Sequence, residues 1–247
     1  MLLAPFWMIP KTILKYKGYG IDAIIAGYES ITGAKFSYIS NTYFKKCDLF
    51  TEFPEVINQD VRLSKTHWNS SHDRAEYPLL MAICASLQPK RIFEFGTFLG
   101  EATRMFAIAS PLSKIVTLNI AENVEPVLQL NEKEKIDLIS NDKIGVYFKN
   151  TPEEFRITQI LDDSFNFSTI GYEGKFDLIW IDAGHSYECV KNDSHKAFQM
   201  ISSGGYIFWH DFDSSQPELV KALLEISKYK KISWIPRTSI ALFHNLD

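Results

Sequence analysis

Two acid–histidine pairs stand out in the second half of the chain. Asp182 and His185 are three residues apart, and His210 and Asp211 are adjacent. Carboxylate and imidazole groups brought together can share a metal ion or work as a general base with its orienting acid. A hard cation such as Mg²⁺ prefers oxygen ligands, whereas a histidine in the set opens it to softer metals such as Mn²⁺, Fe²⁺ or Zn²⁺. A third group lies upstream, where Glu94 precedes a turn built on Gly96, Thr97 and Gly100. Gly96 allows close backbone approach by a ligand. The helix that follows would offer free N–H groups, and the Glu94 carboxylate could meet a cationic amino group. Asn119 and the pair Asp162-Asp163 complete the set. The competing reading for each acid is a turn or helix cap, and for His210 a place in a polar pocket.

These residues share a position: each follows a short apolar run. Strands are expected over residues 91–95, 114–120, 156–161, 175–181 and 206–209. Helices are expected over 73–86, from Gly100 to about Ser110, and over 187–201 and 216–228. Two short strands, 232–235 and 239–243, close the chain around a turn at Pro236-Arg237-Thr238. Strands that are apolar throughout are covered on both faces, which means a parallel sheet with helices on each side. Ligands of such sheets bind outside the carboxyl ends of the strands. Asp73 and Glu76 fit a capping box for the first of these helices, although Glu76 could also reach the ligand. His67, Trp68 and His72 just before it could line an acceptor pocket. Residues 121–151 are expected to hold one helix and an insertion.

The chain has 247 residues, 46% of them hydrophobic and 23% charged, so a packed core can form. That length fits a main domain over residues 66–247 and an N-terminal helical or irregular extension, 1–65, acting as cap, acceptor lid or dimer contact. The net charge of −4 and the lack of a basic stripe argue against a nucleic-acid partner. Cys47, Cys84 and Cys189 form no C-x-x-C pair, which suggests neither a disulfide framework nor a zinc cluster and fits the cytoplasm. The apolar residues 1–10 lack a basic start, are broken by Pro5 and Pro10, and are too short to span a bilayer.

The run IFEFGTFLGEAT at residues 92–103 resembles motif I of class I SAM-dependent methyltransferases (SAM, S-adenosylmethionine). FDLIWIDAGHSYE at 176–188 and SGGYIFWHD at 203–211 resemble the branch that holds small-molecule O-methyltransferases, including macrolide-sugar and catechol-like enzymes and proteins labelled cephalosporin hydroxylase. The likeness extends from Glu76 to the C-terminus. It implies a Rossmann-like α/β fold: a seven-stranded, mostly parallel sheet of order 3-2-1-4-5-7-6, strand 7 antiparallel, with helices on both faces.

The resemblance also implies roles. Glu94, Gly96, Thr97 and Gly100 would bind the amino-acid part of SAM. Asn119 stands where the family has an acid for the ribose hydroxyls, and Glu122 is close enough in sequence to substitute. Asp163 would approach the adenine amino group. Asp182 would serve both cofactor and chemistry, and His185 would be the general base. Asp182, His210 and Asp211 would hold Mg²⁺ or Mn²⁺ beside the hydroxyl of a small-molecule acceptor. His210 replaces the family's usual oxygen donor, which either admits a softer metal or signals that the metal is lost. A homodimer is compatible with the aromatic N-terminal segment. Two other readings remain: a SAM-binding module without catalysis, and an oxidoreductase or hydroxylase on the same fold. The first glycine turn lacks G-x-G-x-x-G, with Phe98 inside it, which disfavours NAD.

Overall fold

A computed structural model describes residues 44–59, 73–129, 139–213, 215–236 and 238–247. In chain order the elements are β1 (Lys45–Lys46), α1 (Leu49–Glu52), a 3₁₀ turn (Pro54–Asn58), α2 (Asp73–Leu87), β2 (Arg91–Phe95), α3 (Glu101–Ala109) and β3 (Lys114–Asn119). They continue with a 3₁₀ turn (Glu154–Arg156), β4 (Ile157–Leu161), β5 (Phe176–Ile181), α4 (Tyr187–Met200), β6 (Ile201–Trp209), α5 (Pro217–Ile226), β7 (Ile232–Trp234) and β8 (Ala241–His244). His67, Trp68, His72 and the expected boundary at residue 65 lie outside the described residues, as do Arg237 of the closing turn and residues 130–138.

The strands form one sheet in the order β1-β7-β8-β6-β5-β2-β3-β4, with β8 antiparallel to both neighbours. Counted from β2, this is the expected 3-2-1-4-5-7-6 arrangement. The sheet has eight strands rather than seven, because the two-residue β1 pairs in parallel with β7. Residues 44–59 thus add to the same sheet and core.

Alternation along the strands divides the core in two. Phe93, Phe95, Ile179, Ile181, Ile207 and Trp209 pack under α4 and α5. Ile92, Leu178, Trp180, Tyr206 and Phe208 face the other way, under α2 and α3. The two-residue period of a strand requires this split. It also decides where each polar residue at a strand end points: even-numbered Glu94, Asp182 and His210 fall on the α2–α3 side. Among the described residues, no helix is long and apolar enough to cross a membrane.

Candidate active site

Gly96 turns the chain out of β2 with φ +94°, and a Cβ there would lie 1.9 Å from the Asp182 carbonyl oxygen. Glycine is therefore obligatory, and the β2 turn and the β5 loop touch. Gly100 caps α3 in a left-handed conformation, φ +86°, where a Cβ would meet the Phe148 ring at 2.7 Å. Residues 141–150 form turns and dock on the glycine turn, with Gly145 N donating to Phe98 O (2.8 Å) and Tyr147 N to Leu99 O (2.9 Å), while residues 130–138 of the stretch expected to hold a helix lie outside the described residues.

A cavity of about 310 Å³ opens above this turn at the carboxyl edge of the sheet. Gly96, Thr97, Asn119, Asp163, Asp182 and His185 all line it. Six of the residues singled out in the sequence thus surround one space. Glu94, Gly100, His210 and Asp211 are not part of its wall.

Glu94 is fully buried beneath the turn. Its Oε2 accepts hydrogen bonds from Thr103 Oγ1 and from Thr117 Oγ1 (2.5 Å), and Thr117 pairs with Thr97 Oγ1 at 2.6 Å. Burial pushes the Glu94 carboxyl up to about 8. The expected contact with an amino group gives way to a staple joining β2, β3 and α3. Strand parity is the cause, because residue 94 shares its face with Ile92 rather than standing at the tip.

Asn119 also serves the turn. Its Oδ1 accepts from Thr97 N (3.1 Å) and Phe98 N (2.9 Å), and its Nδ2 donates to Ile120 O (2.8 Å). Asp163 accepts from Val127 N on one oxygen and Phe165 N on the other, at 2.8 and 2.9 Å. Its side chain ties two loops together. Asp162 lines the same part of the cavity.

The β5–β6 end differs. His185 Nε2 lies 3.0 Å from Asp211 Oδ2. Asp182, His185 and Asp211 bring one ligand atom each within 4.8 Å of one another. Asp211 holds φ +55°, an uncommon conformation for a non-glycine residue and one often found at functional positions.

His210 corrects the ligand set expected from the sequence. It is buried, its Nε2 is 3.0 Å from Glu76 Oε2, and its Nδ1 is 3.2 Å from Asp182 Oδ1. Burial opposes its charge, but the Asp182 and Glu76 carboxylates outweigh that and hold its ring well above the usual histidine range. With both nitrogens engaged, His210 has no lone pair for a metal, and His185 takes its place in the cluster.

Glu76 accepts from Ser239 N, Ser239 Oγ (2.9 Å) and His210, so it ties α2 to the segments just before β8 and just after β6. Burial alone would raise its carboxyl, yet these hydrogen bonds bring it below the usual range. Sequence reasoning did not find the Glu76–His210 pair. The available signal was parity, since 182 and 210 are in register beyond Ile181 and Trp209 and face α2.

Residues 93–212 match a family model described as a methyltransferase domain. No curated protein matches the chain. Among solved structures, cofactor-bound Rv0187 from MTB is similar at 17% identity and TM-score 0.50, over 81% of this chain and 89% of that one. A Staphylococcus aureus protein described as a candidate caffeoyl-CoA O-methyltransferase shares 14% identity at TM-score 0.50, over 85% and 93%. A Klebsiella pneumoniae protein described as a candidate O-methyltransferase shares 15% at TM-score 0.50, over 84% and 94%. At such identities the likeness is one of fold. The family match adds that residues 93–212, just under half of the chain, are similar to a methyltransferase domain.

Proposed function

We propose that the chain transfers the methyl group of SAM to a hydroxyl of a small molecule, such as a sugar, a phenol or a natural-product scaffold. The observation that carries this reading is a single cavity lined by the glycine turn at one end and by Asp182 and His185 at the other. SAM fits with its amino-acid part over Gly96 and Thr97, its adenosine toward Asn119 and Asp162, and its methyl toward His185. Two of the similar folds are described as O-methyltransferase candidates, which agrees.

Methyl transfer is an in-line displacement at carbon. It needs an aligned oxygen nucleophile and a group that takes the hydroxyl proton. His185 Nδ1, the ring nitrogen that does not face Asp211, is the acceptor for that proton. Asp211, 3.0 Å from Nε2, orients the ring and stabilises the imidazolium as it forms. Asp182 lies beside the reaction path, where its carboxylate favours the sulfonium charge.

The same cluster fits a divalent cation, because two carboxylates and an imidazole form a three-ligand face suited to Mn²⁺, Fe²⁺ or Zn²⁺ and, less well, to Mg²⁺. A cation held there would polarise the acceptor hydroxyl. His185 would then act as ligand and not as base. The test is turnover of acceptor panels with SAM by wild type and by His185→Ala, each with and without EDTA. Wild-type methylation that survives EDTA and vanishes in His185→Ala supports the base. Methylation lost on chelation and restored by Mn²⁺ supports the metal, and wild-type protein that binds SAM yet methylates nothing supports a binding module.

A further inference from the structure

One side chain far from the reacting atoms is bonded as if it had a task at the cavity. Lys196, on the third turn of α4, is half-buried and points at the loop that leaves β4. Its ammonium donates to Ser164 O, Phe165 O (3.1 Å) and Phe167 O (2.7 Å). A lysine has three N–H donors, so these carbonyls take them all. One turn earlier on the same helix face, Asn192 Nδ2 donates to Ser164 Oγ (3.1 Å) and to Asp193 Oδ1 (2.8 Å). Asp193 is buried and also bonded to Ser164, and desolvation pushes its carboxyl up to about 6.

Asp162, Asp163, Ser164 and Phe165 of this loop line the cavity at the end remote from His185. Asp163 has both carboxylate oxygens on backbone N–H groups of the protein itself. What recognises the ligand's base there is consequently the position of the loop: its main chain, Asp162 and Ser164. That position is set from behind by an ammonium on three carbonyls, a charge-assisted arrangement stronger than neutral hydrogen bonds.

We propose that Lys196, seconded by Asp193 and Asn192, is the positioning residue for the adenine end of the cofactor cavity and thereby sets its selectivity for the base. This rests on the cofactor reading above. Lys196 touches no ligand and acts through residues 164–167.

The experiment is calorimetric titration of the full chain with two probes, S-adenosylhomocysteine (SAH) and S-inosylhomocysteine, in which a 6-oxo group replaces the 6-amino group. Wild type is expected to prefer SAH by about tenfold or more, the weight of one or two hydrogen bonds. Lys196→Met should weaken SAH by roughly tenfold and shrink the preference to less than about threefold, while Lys196→Arg, which keeps the charge, should retain most of both. Lys196→Gln serves the same purpose if Lys196→Met does not fold. Equal losses for both probes would make Lys196 a brace of the fold alone and overturn the inference. So would a variant that binds and discriminates like wild type, or a wild type that binds SAH without distinguishing the base. Wild type that binds neither probe would overturn the cofactor reading first, and this inference with it.

Discussion

Along the edge formed by β2, β3 and β4, side-chain oxygens turn inward. Glu94 serves two threonines, Asn119 two turn amides, and Asp163 two loop amides. Along the edge formed by β5 and β6, Asp182 and His185 face the cavity, and Asp211 stands behind His185. The first half fixes a main-chain surface that a ligand can lie on. The second presents ionisable groups to it. A polar residue following an apolar strand can therefore mean either of two things, and the difference lies in whether neighbouring backbone N–H groups already claim it.

Substitutions in the two halves should fail in different ways. The largest effect is expected at His185. His185→Ala should lower turnover by about 10²–10⁴-fold, the usual weight of a positioned general base, while SAH affinity measured by calorimetry stays within about twofold of wild type. A parallel loss of affinity would erase the distinction between the halves.

Next is Glu76→Ala, which leaves the buried His210 with one carboxylate partner fewer and Ser239 N without its acceptor. Breaking a buried pair costs about 3–5 kcal/mol, readable as a shift in the urea midpoint at unchanged slope. A change under about 1 kcal/mol would mean that His210 is held by Asp182 alone.

In the other half, Asn119→Ala removes the acceptor for Thr97 N and Phe98 N. The expected result is a roughly tenfold rise in the Michaelis constant for SAM with little change in turnover number, since loss of one or two such bonds costs about 1–2 kcal/mol. A fall in turnover number with unchanged SAM affinity would contradict the assignment.

The last expected effect depends on pH. The Glu94 carboxyl titrates near 8 in the folded chain, far above its ordinary 4.5, chiefly through burial. A raised carboxyl favours the fold while protonated, so this contribution is complete below about 4.5 and fades as pH climbs through 8. Wild type should lose up to a few kcal/mol, roughly, relative to Glu94→Gln between pH 5 and pH 8. Identical slopes of unfolding free energy against pH in the two proteins would show that the carboxyl is already ionised in the fold.

The sheet order was legible because apolar runs, glycine breaks and a closing hairpin each leave a local mark. The eighth strand was not, because Lys45–Lys46 is two residues long and gains its strand conformation from β7 rather than from its own pattern. The cavity lining was legible for the same reason as the strands, since it lies one residue past their ends. What the sequence obscured was direction. Residue 94 reads as a strand end yet sits beneath the turn. Residue 210 reads as a metal ligand yet is clamped by Glu76, which lies 134 positions away in sequence. Lys196 left no mark, because its three partners are main-chain carbonyls, which carry no residue identity.

The central claim is that the cavity over Gly96 takes a SAM-type cofactor. Calorimetric titration of SAH into the full chain tests it most directly. The account predicts saturable binding of one SAH per chain, with a dissociation constant on the order of micromolar, abolished by Gly96→Ala. No saturable binding by the folded wild type, or binding that Gly96→Ala leaves intact, would contradict it.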